Sequence, residues 1–329
     1  PLANFRTGDV IVTYPENRDN YPTRGQGFRC SLVENSAEKI VVRLRARQYK
    51  PIFLPGTNWC VEHDHLDSSF RQMNQSLVTI LNMDQQQSEK FLGLRPPARP
   101  EASPITSLPP GMTDTQAQAL SEMEAVQDHY LLWGPPGTGK TSILLRNFVA
   151  QKLSQKDNRL LLVGYTNRAV DEICSALLSI DHLEESQILR IGSRYGTDPM
   201  YRHFLLKERN QHISNRSQLL EMLHGTRIVC GTIASLSGQL ELFGIVDFDY
   251  LVIDEASQIL EPALIGLLSM GIPYVLIGDH KQLPAVVNQS LEETYTHQPE
   301  LHDIGLYNLS NSYFERMFVS EVERSLAQE

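Results

Sequence analysis

The sequence predicts an α/β protein: a parallel β-sheet with helices on both faces, preceded by a small all-β region and a helix. Three observations carry this. After residue 112, short continuous apolar runs such as Leu160-Leu161-Leu162-Val163 alternate with helical patterns, as strands buried on both faces do. Before residue 62, β-branched segments are divided instead by turn formers. Between the two regions, Leu94 to Met112 holds Pro96, Pro97, Pro100, Pro104, Pro109 and Pro110.

Val10-Ile11-Val12-Thr13-Tyr14 opens the front region as a strand. A turn-rich stretch follows through Gly27, then strands at 28–33 and 39–44, so residues 1–64 form a small β-barrel-like domain. Arg43, Arg45 and Arg47 alternate along one strand and share a face that could meet an anionic polymer or simply water. Leu66, Phe70, Met73, Leu77 and Leu81 recur every three or four residues, which lines one helix face and makes residues 65–93 a stalk. Residues 94–111 form a linker, since proline lacks the N–H and fixes φ. Residues 112–329 hold strands at 130–133, 160–163, 227–230, 250–253 and 274–277. Helices are expected at 140–152 and 169–178, with 183–224 as a helical insertion.

The net charge of −10 excludes a chain that coats nucleic acid by bulk charge. The balance is +3 over residues 1–100 and −13 over the rest. No apolar run approaches the roughly 18 residues that span a bilayer, and no signal peptide opens the chain. Cys30, Cys60, Cys174 and Cys230 lie far apart in sequence and read as buried, reduced thiols of an intracellular protein. The chain opens on Pro1, as a piece of a longer protein would.

Gly134-Pro135-Pro136-Gly137-Thr138-Gly139-Lys140-Thr141 fits G-x-x-x-x-G-K-[ST], after an expected strand and before an expected helix. The glycines let successive N–H groups face one anion, and the helix adds its positive N-terminal end, where Ser142 follows. Lys140 supplies a point charge to the β- and γ-phosphates and Thr141 a hydroxyl to Mg²⁺. Tyr250-Leu251-Val252-Ile253 carries Asp254 to the same sheet edge to hold the metal. Glu255, one residue on, can polarise a water for attack. These parts imply binding of a nucleoside triphosphate with magnesium.

Further residues carry a resemblance. Thr166-Asn167-Arg168-Ala169-Val170-Asp171-Glu172-Ile173 resembles motif Ia of superfamily 1 helicases, and Asp254-Glu255-Ala256-Ser257-Gln258 resembles their motif II. Gly278-Asp279-His280-Lys281-Gln282-Leu283-Pro284 resembles motif III, and Thr232 with Ser235 resembles motif Ib. Met112-Thr113-Asp114-Thr115-Gln116 is similar to the Q motif that reads adenine. Together they span about residues 112–290 and look like the branch of the nonsense-mediated-decay helicase and the replication helicase–nuclease. The stretch Leu309 to Met317 is similar to the segment ahead of motif IV. The resemblance implies a RecA-like motor domain with an inserted barrel and stalk, ATP and Mg²⁺ as cofactors, and 5′-to-3′ movement on single-stranded DNA or RNA. It also implies a second RecA-like domain that supplies arginines. After Glu255 this chain has only Arg316 and Arg324, so it is expected to be a monomeric motor half that binds nucleotide without unwinding.

The residue chemistry agrees and leaves alternatives. The Gln116 amide can both donate to and accept from an adenine edge, or serve the start of its helix. Gln282 can touch the γ-phosphate and report its loss. Thr166, Asn167, Thr232 and Ser235 can hold strand phosphates or cap helices. A nucleotide-switched binding module without processive motion is the second reading. Leu236-Ser237-Gly238-Gln239 resembles part of the ABC-transporter signature, which makes an ABC-type ATPase a third.

Overall fold

The computed structural model describes residues 5, 10–16, 27–36, 38–44, 56–63, 68–98, 111–155, 157–237, 245–287 and 289–327. The chain divides into two compact units, Pro1–Phe70 and Arg71–Glu329.

In the front unit, β1 (Val10–Pro15), β2 (Phe28–Asn35), β3 (Ile40–Leu44) and β4 (Trp59–His63) form an antiparallel sheet in the order β3-β2-β1-β4. Among the described residues β3 and β4 are its edges. Ile11, Cys30 and Leu32 point to one side and are buried there, as period-2 alternation requires. Strand β4 escaped the sequence reading because Trp59-Cys60-Val61-Glu62-His63 mixes charge with apolar residues on an edge. Arg43 lies exposed on β3, whereas Arg45 and Arg47 fall outside the described residues.

The second unit begins with the stalk. Helix α1 (Ser68–Leu81) forms as its periodicity predicts, but the expected face is turned: Leu77 and Leu81 are exposed, while Ile80 and Met83 pack on the core. On the packed side the helix passes close to Gly266, where a Cβ would meet Ser76 Oγ at 2.9 Å. After α2 (Gln85–Phe91), Phe91 enters the core of the larger sheet.

That sheet has six parallel strands, β5 (His129–Trp133), β6 (Leu160–Gly164), β7 (Ile188–Ile191), β8 (Ile228–Thr232), β9 (Tyr250–Asp254) and β10 (Tyr274–Gly278). Their order is β5-β10-β9-β6-β8-β7. Alternate side chains feed two cores. Leu161, Val163, Leu251 and Ile253 face one layer, and Leu160, Leu162, Val252 and Cys230 the other. The second layer holds α3 (Asp114–Glu124), α4 (Arg146–Ser154) and α5 (Asn167–Leu178).

The expected helical insertion over 183–224 needs correction, because β7 lies inside it as the edge strand. Arg190 disguised that strand. Its side chain is 1% exposed, paired with Asp171 and within 3.7 Å of Cys174 Sγ. Short helices follow, ending in Arg216–Gly225. All four cysteines are free, yet Cys174 and Cys230, distant in sequence, bring their sulfurs to 3.7 Å between α5 and β8.

The helix Tyr313–Ala327 closes the unit through a buried polar network. Arg316 donates to both Glu261 carboxylate oxygens at 2.7 and 2.9 Å, and to the carbonyls of Phe91, Leu92 and Ile304. Tyr313 donates to Phe91 O at 3.1 Å and lies 2.9 Å from the Tyr274 hydroxyl. Every donor of Arg316 is thereby used, so this arginine is a fastener of the fold. No helix among the described residues is long and apolar enough to cross a membrane.

Candidate functional site

The glycine-rich turn leaves β5 at the C-terminal edge of the sheet. Gly137 and Gly139 adopt φ of 78° and 74°, and a Cβ on Gly139 would meet Ile143 Cδ1 at 2.8 Å. Thr138 Oγ1 donates to Pro135 O at 2.8 Å, and Lys140 Nζ donates to the carbonyls of Gly134 and Pro135. The first turn of the following helix, Lys140–Leu145, is a wide π turn in which the N–H groups of Ile143 and Leu144 both reach Gly139 O.

Strand β9 ends in Asp254, which is 5% exposed and accepts a hydrogen bond from Thr141 Oγ1 at 2.6 Å. The acid thus reaches the glycine turn along the shared sheet edge, as the sequence predicts, although β10 lies between the two strands that carry them. Glu255 sits at φ 56°, a left-handed backbone that costs a non-glycine residue of order 1–3 kcal/mol and concentrates at functional sites. Burial pushes the Asp254 carboxyl above its ordinary range against the hydrogen bond from Thr141. Burial, then the neighbouring Asp254 charge, raises Glu255 as well. Thr166 Oγ1 donates to Glu255 Oε2 at 3.4 Å.

Beyond β10, Gln282 Nε2 donates to Asp279 Oδ2 at 2.8 Å. Pro136 through Ser142, Asp254, Glu255, Asp279 and Gln282 all line one cleft of about 630 Å³, within the range of small-molecule sites. Lys140 is the only cation lining it among the described residues. Gln116 is not in the lining. Its Oε1 accepts from Thr113 N at 2.9 Å and its Nε2 donates to Thr138 O at 2.9 Å, a capping box tied to the phosphate turn. No group of three or more His, Cys, Asp or Glu side chains poised for a metal occurs among the described residues. Thr141 and Asp254 instead offer two hard oxygens, the sparse protein set magnesium takes when phosphates and water fill its octahedron.

The residues expected to meet a strand lie further along the same rim. Thr166 caps α5, accepting from Ala169 N at 3.1 Å, and Asn167 is exposed beside it. Thr232 at the end of β8, level with Gly164 of β6, accepts from Ser235 N at 3.2 Å and donates to Ser235 Oγ at 2.8 Å. Of the ABC-like tetrapeptide, Leu236 is core and Ser237 bonds Ile233 O, while its last two residues lie outside the described residues.

Two participants escaped the sequence reading. Asp279 stands inside a recognised motif but received no role, although its carboxylate joins Gln282, Trp133 and the Lys281 N–H. Trp133 closed an apolar run and read only as strand. Their partnership spans 146 positions, a separation that leaves no spacing signal.

A phosphate turn and an acidic pair on parallel strands, with one strand between them, define a P-loop domain of RecA-like architecture. The chain belongs to the AAA domain family, whose model matches residues 111–219 and 202–290. Its motifs and relatives put it in superfamily 1, on the replication helicase–nuclease branch. The DNA replication ATP-dependent helicase/nuclease dna2 of Schizosaccharomyces pombe is 35% identical over 182 residues, covering 54% of this chain and 12% of that protein. The DNA2 protein of Gallus gallus is 31% identical over 337 residues, covering 96% of this chain and 31% of that one. The JHS1 helicase/nuclease of Arabidopsis thaliana is 27% identical over 351 residues, covering 98% and 25%. The chain thus spans less than a third of the length of these relatives.

Proposed function

We propose that this chain binds ATP with magnesium and serves as the motor half of a helicase that moves 5′ to 3′ along single-stranded nucleic acid. The observation that carries the reading is the 2.6 Å approach of Thr141 to Asp254, at a cleft that also presents Lys140, Glu255 and Gln282. The N–H groups from Gly137 to Thr141 hold the phosphates. Lys140 exchanges the carbonyls of Gly134 and Pro135 for phosphate oxygens, gaining charge-assisted bonds. Thr141 and Asp254 would hold magnesium, which would supply charge neutralisation to the phosphates. Glu255 accepts a proton from the attacking water, and its raised pKa brings it nearer the strength a base needs at neutral pH. Gln282 meets the γ-phosphate. Gln116, whose amide keeps one N–H and one lone pair beyond its two bonds, reads the adenine edge.

Thr166, Asn167, Thr232 and Ser235 receive strand phosphates, and the relatives' role in DNA replication favours DNA inside the cell. Hydrolysis by this chain is slow, because no arginine lines the cleft among the described residues. An arginine finger contributes about 10³–10⁵ in rate. Its supply by a second RecA-like domain would complete the motor. Steady-state ATP turnover and duplex separation, each with and without single-stranded DNA or RNA, test this. Magnesium-dependent ATP binding with weak turnover is expected. Robust unwinding by the chain alone would remove the slow-motor statement, and absence of magnesium-dependent binding would remove the whole reading.

A further inference from the structure

Around Asp279 the structure gathers more than the nucleotide chemistry above uses. Asp279 is 6% exposed and its backbone N–H donates to Ser257 Oγ at 3.1 Å, beside the acidic pair. One carboxylate oxygen, Oδ2, holds Gln282 Nε2 at 2.8 Å. The other, Oδ1, accepts from the indole N–H of Trp133 at 3.0 Å and from Lys281 N at 3.1 Å. Burial alone would raise this carboxyl, but the bonds from Gln282, Trp133 and Lys281 prevail and hold it below its ordinary value. It is therefore an anchored anion at neutral pH.

Trp133 is the last residue of β5, immediately before Gly134, and pairs in register with Gly278 of β10. Gly134 N donates to Gly278 O at 3.3 Å, so the two chain segments are still joined where they leave the sheet. Lys281 Nζ sits 5.2 Å from the indole centroid, and the rings of His280 and Phe318 lie 5.8 and 6.0 Å from it. A 40% exposed tryptophan at this place is not there to fill the core. Its one polar atom is spent on the carboxylate that orients Gln282.

We propose that Trp133 is a positioning residue for γ-phosphate recognition: its indole N–H holds Asp279, which in turn fixes the Gln282 amide toward the cleft. The inference rests on the nucleotide reading of the cleft and adds to it a residue outside the phosphate turn's own consensus. Two consequences distinguish this role from simple packing. Loss of the N–H should weaken ATP more than ADP, because only ATP carries the phosphate that Gln282 meets. The indole should also report the γ-phosphate, since its donor bond tightens or relaxes with Gln282.

The test uses the full 329-residue chain and titrations with ATP and ADP in magnesium. Trp133→Phe keeps an aromatic ring and removes the donor. Trp133→His restores a donor, because imidazole Nε2 can occupy the five-membered-ring position of indole Nε1. The expected result is that Trp133→Phe lowers the ATP-over-ADP preference by roughly tenfold, the value of a hydrogen bond to a charged group, and that Trp133→His recovers most of it. Asp279→Asn serves as a second probe should the phenylalanine chain fail to fold, and should also lower the preference. In a Trp59→Phe background, ATP should shift Trp133 emission and ADP should not. A wild-type chain that prefers ATP alongside a folded Trp133→Phe chain of equal preference overturns the inference alone. A Trp133→Phe loss that Trp133→His does not recover overturns it as well. A wild-type chain that binds neither nucleotide overturns the cleft reading and this inference together.

Discussion

The two halves of the C-terminal rim of the large sheet use polar side chains in opposite ways. At the ends of β5, β10 and β9, Lys140, Thr141, Asp254, Glu255 and Gln282 surround a cleft; two of the carboxyls are held above their ordinary range and Glu255 has a left-handed backbone. At the ends of β6 and β8, Thr166 and Thr232 are already engaged as caps, each accepting from a backbone N–H three residues on. The first half carries unfavourable local arrangements. The second is satisfied as it stands. The two halves of one edge thus differ in their energetic reserves, and substitutions should separate them.

The largest effect is expected at Glu255. Glu255→Gln should leave ATP affinity near that of the wild type and lower turnover by about 10²–10⁴, measured by phosphate release against a binding titration. The pH profile sharpens this. A raised carboxyl pKa means that Glu255 takes up a proton nearer neutrality than a free glutamate, so turnover should fall early as the medium is acidified. A profile flat down to the ordinary glutamate range would remove Glu255 as the base. Next in size, Lys140→Ala should weaken ATP by roughly 10- to 100-fold, since the cleft loses the only cation lining it among the described residues.

How far the sequence could reveal each half follows from the same contrast. The glycine-rich turn was legible because Gly134 to Thr141 is built within eight consecutive positions, and the acid pair because an apolar strand delivers it. Strand β7 was not, since Arg190 interrupts an otherwise apolar run and only the fold supplies Asp171 to neutralise it. The turned face of α1 was also hidden. Periodicity locates a stripe, but which residues pack, here Ile80 and Met83, is settled by tertiary contacts. Trp133 and Asp279 meet only because β5 and β10 are neighbours, which no local pattern announces.

A smaller effect separates stability from ligand binding within the first half. Because the Asp254 pKa is raised, the folded chain binds that proton more tightly than the unfolded chain does, so ionised Asp254 costs stability at neutral pH. Asp254→Asn should therefore raise the melting temperature of the nucleotide-free chain slightly while abolishing the added stabilisation by ATP with magnesium. A fall in the nucleotide-free melting temperature would mean that the Thr141 bond outweighs the cost of burial.

The smallest effect tests whether the satisfied half of the rim also grips a strand. Thr166→Ala should cost about 0.5–2 kcal/mol, the value of an N-cap, whatever its role in binding. Asparagine and aspartate both cap well, so Thr166→Asn should keep most of the stability and Thr166→Asp somewhat less, because its carboxylate faces Glu255; the two differ chiefly in charge. If a strand phosphate rests at the start of α5, the aspartate chain should bind single-stranded DNA more weakly than the asparagine chain, with the gap closing as salt is raised. Thr166 also donates to Glu255, so turnover is expected to change in both chains and cannot decide the matter. Fluorescence anisotropy of a labelled oligonucleotide at two salt concentrations does, because it reads the strand alone. Equal affinities for the two chains would leave Thr166 as a cap and move the grip toward Thr232 and Ser235, where the end of β8 offers the next hydroxyls along the edge.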